Sequence, residues 1–402
     1  MAQAVNRQAP AVTSEERRPW LDLTELPSPL TRPPLPVVFL AVLALMAVGI
    51  FIARLATGWE LVTNLNNNYA WGVWKGFNTL VGIALGASGF TTAFAVYMLG
   101  KEQYRPLARM AILVGVLGYL SSVMSLLIDL GHPERIIFPV IYWAPESPLF
   151  EVAWCVMLYL TVMLFEFSPA VFERFGLKRA ESVLHAVVIP LVIGGTVLST
   201  LHQSSLGSLF LNVPDQLNKL WYTPLLPLFF FLSAVYVGPA VVIVTATFCQ
   251  RAFGRKLDHL LPSLAQALPF LLGFYLVIKV AELLGAREFG LLFNGSRDSA
   301  VFMAEMSMGV IIPMVLLMFK AIRENGTWRF IAALMVVLGL MFNRVNVSIV
   351  AWARPSDALN YVPHVGEIVF TVGLWAGLAL VFYVAATYLP VFGQAAHESV
   401  KE

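Results

Sequence analysis

Nine ionisable residues interrupt stretches that are otherwise apolar: Lys75, Asp129, Glu151, His202, Lys279, Glu282, Glu305, Arg344 and Glu367. A charge at the centre of a membrane helix costs about 2.5–3.5 kcal/mol on insertion scales. Residues of this kind are retained where they bind a polar group or move protons. Carboxylates, cations and a histidine together can hold a polar head group and exchange protons with it. His202 is the natural proton donor, because an unperturbed imidazole titrates close to neutrality. It sits in Leu201-His202-Gln203-Ser204-Ser205, a polar patch deep in an apolar run, and Glu151 can feed it. Arg344 suits either an anionic head group or a pairing with Glu367. Simpler roles compete for the others. Lys75, Glu305 and Glu367 fall in first helical turns and can snorkel to water. Lys279 and Glu282, spaced i, i+3, can pair on one helix face. Glu166, near an inner end, reads as interfacial.

The elements that position these groups are membrane helices. Apolar residues make up 58% of the 402-residue chain and charged residues only 12%, about half the charged share of a soluble domain. Mean hydropathy is +0.76. Apolar runs near 36–56, 71–99, 107–130, 148–169, 184–210, 223–250, 264–285, 300–320, 327–349 and 364–390 are each long enough to span a bilayer. The expected fold is all-α, a polytopic membrane protein of about ten transmembrane helices. Residues 1–35 read as a Pro-rich cytoplasmic tail, 36–390 as one transmembrane domain, and 391–402 as a short cytoplasmic tail. Gly82, Gly86 and Gly89 in the second run suit close helix approach, the usual basis of packing in lipid.

Lys and Arg counts orient the chain. The N-terminal tail, the connections after runs 2, 4, 6 and 8, and the C-terminal tail hold seventeen; the alternate connections hold seven. Both termini are therefore expected in the cytoplasm, and the odd-numbered loops outside. Two of those loops, 131–147 and about 350–363, are rich in Pro, Trp and Tyr and suggest a docking surface or lid. On this topology all nine ionisable residues lie toward the outer half, contributed by eight helices. A layer of acids and bases at one membrane face fits a polar head group on an apolar tail, as in a quinone. A secondary transporter, by contrast, would place its site near the bilayer centre between broken helices.

Metal cofactors are not expected in this chain. A membrane b-type haem with two axial histidines needs paired intramembrane His, and of the six histidines only His202 lies deep in a run, with His185 near an inner end. The two cysteines, Cys155 and Cys249, cannot hold an iron–sulfur cluster, which takes four ligands.

Several segments resemble the NrfD/PsrC family of membrane quinone-handling subunits, closest within it to the HybB subfamily, the membrane subunits of hydrogenase-2. The resemblance covers nearly all of residues 36–390. It rests on Asn68-Tyr69-Ala70-Trp71-Gly72-Val73-Trp74, Ile128-Asp129-Leu130-Gly131-His132-Pro133-Glu134-Arg135, Leu149-Phe150-Glu151, Glu166-Phe167-Ser168-Pro169-Ala170 through Phe175-Gly176, and Leu201-His202-Gln203-Ser204-Ser205-Leu206-Gly207-Ser208-Leu209. It implies two four-helix bundles with flanking helices in the bacterial inner membrane. It implies electron exchange between menaquinone and a periplasmic ferredoxin-like iron–sulfur subunit, with nickel–iron hydrogenase small and large subunits beyond. Nothing implies nucleic acid. By the resemblance, Trp71, Trp74, Asn78, Asp129 and His132 belong to the quinone pocket, with Arg344 added. Glu151, His202 and Tyr119 match positions for proton transfer and quinone chemistry, and Glu282, Glu305 and Glu367 join the proton-transfer set.

The chain departs from the pattern in three places. A glutamate in the second half of helix 6 is replaced by Thr245, an Asp in helix 2 by Asn78, and the Arg of Asp-Leu-Gly-Arg by His132. These changes leave room for a relative serving a polysulfide- or tetrathionate-type molybdenum reductase, or a multihaem cytochrome complex, or acting as a non-catalytic anchor.

Overall fold

Lipid offers no hydrogen bonds, so a spanning segment has to satisfy its own backbone, and an apolar chain of this kind folds as helices. The computed structural model describes residues 34–66, 71–352 and 361–392. The expected tails lie largely outside the described residues, as do Asn68, Tyr69, Ala70 and most of the 350–363 loop. Among the described residues, ten helices are long and apolar enough to cross a membrane. They are α1 (Leu35–Thr57), α2 (Trp74–Met98), α3 (Arg105–Asp129), α4 (Pro148–Phe175) and α5 (Lys178–Ser208), then α6 (Leu226–Phe253), α7 (Asp258–Gly285), α8 (Arg297–Met318), α9 (Gly326–Val350) and α10 (Val365–Tyr388). Among the described residues the one β contact is an antiparallel bridge between Leu217 and Trp352.

Each expected apolar run matches one helix, with one informative extension. The fourth run stops at Pro169, but α4 continues to Phe175. Proline removes the amide that would bond the Phe165 carbonyl. Ser168 Oγ donates to that carbonyl at 2.8 Å instead, so the helix runs on. Gly176, in the left-handed region at φ 67°, then ends it.

Helices α2–α5 pack as one four-helix bundle and α6–α9 as a second. Contacts of α6 with α2 and α5, and of α9 with α2, join the bundles. Helix α10 packs on α3, and its Gly373 and Gly377 face Ala47 and Ala44 of α1. The bundles meet their own neighbours through glycine. A Cβ on Gly82 of α2 would sit 2.6 Å from the Gly118 carbonyl of α3, and one on Gly309 of α8 would sit 2.7 Å from Gly339 Cα of α9.

The helix ends define two faces. Lys101, Arg105, Arg109, Arg174, Lys178 and Arg255 mark the basic face. The other, here the aromatic face, carries the 131–147 segment. There Trp143 packs edge-on against Phe150 and Trp154, and Trp154 Nε1 donates to the Pro139 carbonyl at 2.9 Å. The same segment exposes Ile137, Phe138, Val140, Ile141 and Tyr142.

Candidate functional site

Polar groups gather toward the aromatic face in three clusters, one per helix neighbourhood. The first lies inside the α2–α5 bundle. His202 is fully buried, and its Nδ1 lies 2.9 Å from Tyr119 OH. The Tyr119 ring meets His202 and Tyr159 edge-on, with centroids 5.2 and 4.8 Å apart. Gly86 makes the room: a Cβ there would stand 2.8 Å from the Tyr119 ring. His202 Nε2, Tyr159 OH, Ser199 Oγ and Gln203 Oε1 are buried without a well-aligned hydrogen bond among the described residues. Ser199 adjoins both phenols. Nearer the aromatic face, the Ser205 hydroxyl lies 2.5 Å from Glu151 Oε1 and 2.7 Å from the Leu201 carbonyl. One hydroxyl proton serves one acceptor at a time, so Ser205 can switch between them. Glu151 itself is exposed.

The second cluster joins α1, α2, α3 and α10. Lys75 Nζ pairs with Asp129 Oδ2 at 2.8 Å, and Asp129 is 3% exposed. Its other oxygen, Oδ1, and the neighbouring Trp74 Nε1 are buried without partners among the described residues. Trp74 through Thr79 form a π-helical turn, which loosens the ordinary carbonyl bonding. Serines of α3 restore it: Ser121, Ser122 and Ser125 donate to the carbonyls of Asn78, Thr79 and Trp74 at 3.0, 3.0 and 2.6 Å. The Asn78 side chain bridges to α10, donating to Thr371 Oγ1 at 3.1 Å and accepting from Trp375 Nε1 at 3.0 Å. Buried Arg54 of α1 holds the end of α3 by the Ile128 and Leu130 carbonyls at 3.1 and 2.5 Å. Glu367, at the start of α10, accepts from Thr63 Oγ1 and the Asn64 amide, both at 3.0 Å, and from the Tyr361 phenol. Burial first, and the bond to Glu367 next, push the Tyr361 phenol above its ordinary range, so it remains a donor.

The third cluster fills the α6–α9 bundle. Glu305 accepts from Trp221 Nε1 at 2.9 Å, Asn343 Nδ2 at 2.7 Å and Asn346 Nδ2 at 2.6 Å. Arg344 donates to Asn343 Oδ1 and Ser233 Oγ at 2.7 and 2.6 Å, and its guanidinium lies 3.8 Å from the Phe230 ring centre. Lys279 pairs with Glu282 at 2.8 Å, both side chains 6% exposed. A cavity of about 20 Å³ lined by Trp221, Lys279, Glu305 and Arg344 lies between these groups, room for about one water. Just past α7, partial burial and then the Glu282 charge raise the Glu288 carboxyl above its ordinary value. An aromatic ladder links the bundles, with Trp71 on Phe210 at 5.1 Å, Phe210 on Phe230 at 5.7 Å, and Phe230 under Arg344.

The predicted residues are thus placed as follows. His202, Tyr119 and Glu151 share the first cluster; Trp74, Asn78, Asp129 and Glu367 share the second; Glu282, Glu305 and Arg344 share the third. Trp71 stands at the seam between the bundles. His132 is exposed at the aromatic face, its Nδ1 2.9 Å from Glu134, apart from the buried groups. Arg344 does not pair with Glu367, because each sits in a different bundle neighbourhood with its own partners. Glu166 is not at a helix end. Because α4 runs to Phe175, it lies nine residues inside. Sequence reading missed the neutral partners Ser199, Trp221, Asn343, Asn346 and Tyr361, and named Ser205 only within the polar patch around His202. These side chains carry no formal charge to single them out, and their partners come from other helices, although Asn343-Arg344-Val345-Asn346 is conspicuous for its depth.

Comparison with known proteins bears on this arrangement. A protein of Nitratidesulfovibrio vulgaris (strain Hildenborough) is 36% identical, covering 88% of this chain and 93% of its own length. The probable Ni/Fe-hydrogenase 2 b-type cytochrome subunit of Escherichia coli K12 is 32% identical, covering 89% of this chain and 92% of its own. The menaquinone reductase integral membrane subunit of the same N. vulgaris strain is 29% identical, covering 83% and 86%. Residues 61–354 match the family described as polysulphide reductase, NrfD, and the chain belongs to that family of membrane subunits of respiratory oxidoreductase complexes.

Proposed function

We propose that this chain handles menaquinone for a respiratory complex, exchanging electrons with an iron–sulfur partner docked at the aromatic face. The observation that carries the reading is the pair of orphaned polar atoms, Asp129 Oδ1 and Trp74 Nε1, beside the Lys75–Asp129 ion pair. A buried polar atom without a partner costs about 1–3 kcal/mol, and one unsatisfied donor with one unsatisfied acceptor suits a ligand with a polar head. The half-exposed Trp71 and the Trp71–Phe210–Phe230 ladder offer the apolar flank that a ring and tail require. Bound quinone supplies two-electron, two-proton redox chemistry. The protein's share is to hold the head group at Lys75, Asp129 and Trp74, and to manage protons. His202 and Tyr119 hold a proton between Nδ1 and OH, while Ser205 hands protons between Glu151 and the bundle interior. Glu282 serves as a further proton-exchanging carboxylate, Glu305 and Glu367 hold the donors around them in place, and Arg344 neutralises negative charge at the seam.

On this reading the chain binds no haem or cluster of its own. Among histidines with described side chains only His202 is buried, and it is engaged by Tyr119. The basic face is cytoplasmic, the aromatic face periplasmic, and the membrane the bacterial inner membrane. The exposed 137–142 patch receives the ferredoxin-like subunit, with nickel–iron hydrogenase subunits beyond it. The test is purification of the intact complex through this chain. Co-purifying iron–sulfur and nickel–iron subunits, quinone-linked electron transfer and a haem-free reduced-minus-oxidised spectrum are expected. A molybdenum-containing partner, a haem signal carried by this chain, or quinone-independent behaviour overturns the corresponding part.

A further inference from the structure

A cavity of about 830 Å³ lies between the bundles, away from the three polar clusters. Its lining comes from α2 and α5 of one bundle, from α6 and α7 of the other, and from the connection between α2 and α3. The floor is the contact of α2 with α6. A Cβ on Gly238 of α6 would collide with the Thr91 side chain of α2, so these helices meet closely. Helices α5 and α7 each pack on α6 and form the walls. On α7 the lining residues Ser263, Ala267, Phe270 and Phe274 follow the three- and four-residue spacing of one helix face.

The interior is apolar and the basic-face end is not. Three lining threonines, Thr91, Thr196 and Thr200, donate to the carbonyls of Ala87, Val192 and Thr196 in their own helices, each at 2.8 Å. One hydroxyl has one proton to give, so these side chains offer a ligand no donor. Phe94 of α2 and Phe270 and Phe274 of α7 are exposed within their spans, so the cavity opens sideways to lipid. At the basic-face end Tyr104 OH donates to Ser263 Oγ at 3.2 Å, and Ser263 donates to the Leu260 carbonyl at 2.9 Å. Around that bridge Lys101, Gln103 and Gln266 are exposed, and no ion pair or side-chain hydrogen bond among the described residues engages them. Among the described residues that line the cavity Lys101 is the one cation, and there is no carboxylate or imidazole. The end therefore carries positive charge with nothing in the lining to balance it, and a quinone head would find no acid or base beyond Lys101 and Tyr104.

We propose that this cavity binds an anionic phospholipid of the basic-face leaflet, its acyl chain between the bundles and its phosphate at Lys101, with Gln103 and Gln266 beside it. Length selects the occupant. From Ser263 to Phe274 the α7 lining advances eleven residues, about 16 Å along the axis. One leaflet of hydrocarbon is about 15 Å deep, half of a core of about 30 Å. A helix about 10 Å across fills about 120 Å³ per residue, so the cavity takes up only about seven residues of a span that needs about twenty. Charge selects the head group, because a lysine at the membrane surface attracts anionic lipid. The bound chain packs against α2, α5, α6 and α7 together, and so joins the two bundles on the side where their own side chains leave a gap.

The test is to purify the intact complex in detergent, strip its lipid, and titrate it with phosphatidylglycerol carrying a photoreactive diazirine in one tail. Mass spectrometry of the peptides then maps the labelled residues. Label is expected on the cavity segments of α2, α6 and α7, saturating at one lipid per chain. Unlabelled phosphatidylglycerol is expected to compete at least tenfold better than phosphatidylcholine with the same tails. Lys101→Gln is expected to weaken binding about fivefold, the factor one lysine contributes at an anionic surface, while Lys101→Arg keeps it. Ala267→Trp, which places an indole in the cavity, is expected to cut the labelling at least tenfold. Lys101 is exposed, so its variants keep the test decisive where the Ala267→Trp complex fails to assemble. Equal competition by phosphatidylcholine, or wild-type labelling in Lys101→Gln or Ala267→Trp, overturns the site. A photoreactive maleimide on Phe270→Cys in native membranes is expected to capture lipid; capture of a second copy or of a partner subunit assigns the cavity to a protein contact and overturns the proposal.

Discussion

Glu151 and Glu367 are both carboxylates in a first helical turn near the aromatic face, yet their surroundings give them different work. Glu367 is buried and held by Thr63, the Asn64 amide and Tyr361, so its oxygens are committed. Glu151 is exposed and touches one hydroxyl, Ser205, which has a second acceptor in reach. A relay needs the second arrangement, because a group with all its bonds made resists exchange. Glu151→Gln is therefore expected to lower quinone-linked turnover in native membranes by one to two orders of magnitude, the roughly 10²-fold lower end of the range for lost general acid–base groups. Ser205→Ala should cost less, since water can replace a hydroxyl near the surface. Unchanged electron flow to quinone in Glu151→Gln removes that residue from the relay. The Lys75–Asp129 pair sits at the opposite extreme. Asp129 is buried while the Lys75 side chain is 29% exposed, so removing Lys75 leaves a buried charge uncompensated, and variants there will confound folding with function.

Among the elements, α2 decides where the chemistry sits. Its glycines set its distance from α3, and Gly86 in particular gives Tyr119 the space to reach His202. Gly86→Val is expected to leave the chain membrane-inserted but to displace the Tyr119 ring. The expected result is a loss of quinone-linked activity of at least tenfold and a melting temperature lowered by an overpacking cost of about 1–3 kcal/mol. Wild-type activity in Gly86→Val would show that the Tyr119–His202 contact is not required. The small-residue spacing of α2 was legible in the sequence, as were all ten helices, since hydropathy alone marks a span. The π-helical turns at Trp74–Thr79 and Asn346–Val350 were not, because no local composition encodes them. They arise where tertiary donors such as Ser125 can take over a carbonyl. For the same reason the apolar run ends at 169 while Ser168 lets α4 continue past Pro169. The costly charges of the site were visible one by one, but not their sorting into three clusters. Lys75 and Asp129 are far apart in the chain, and only helix packing pairs them.

Across the whole molecule, the aromatic face is where a partner can meet both bundles. The 131–147 segment is built to present a surface. Trp143, Phe150 and Trp154 interlock edge-on, and Trp154 anchors the backbone at Pro139. Beside that support, Val140 and Ile141 are 54% and 59% exposed and make none of the ring contacts that hold the segment together. A rigid apolar patch at the water–membrane boundary, with no role in the chain's own packing, is suited to an interface. On the proposed reading, electron transfer to a quinone near Asp129 requires a donor close to this face, and α3 runs directly from Asp129 into the segment. Val140→Asp with Ile141→Asp is therefore expected to cut the amount of iron–sulfur partner recovered with the tagged chain at least tenfold, while the chain itself accumulates in the membrane as before. Full recovery of the partner with the double variant places the docking surface elsewhere and leaves the patch to the lipid.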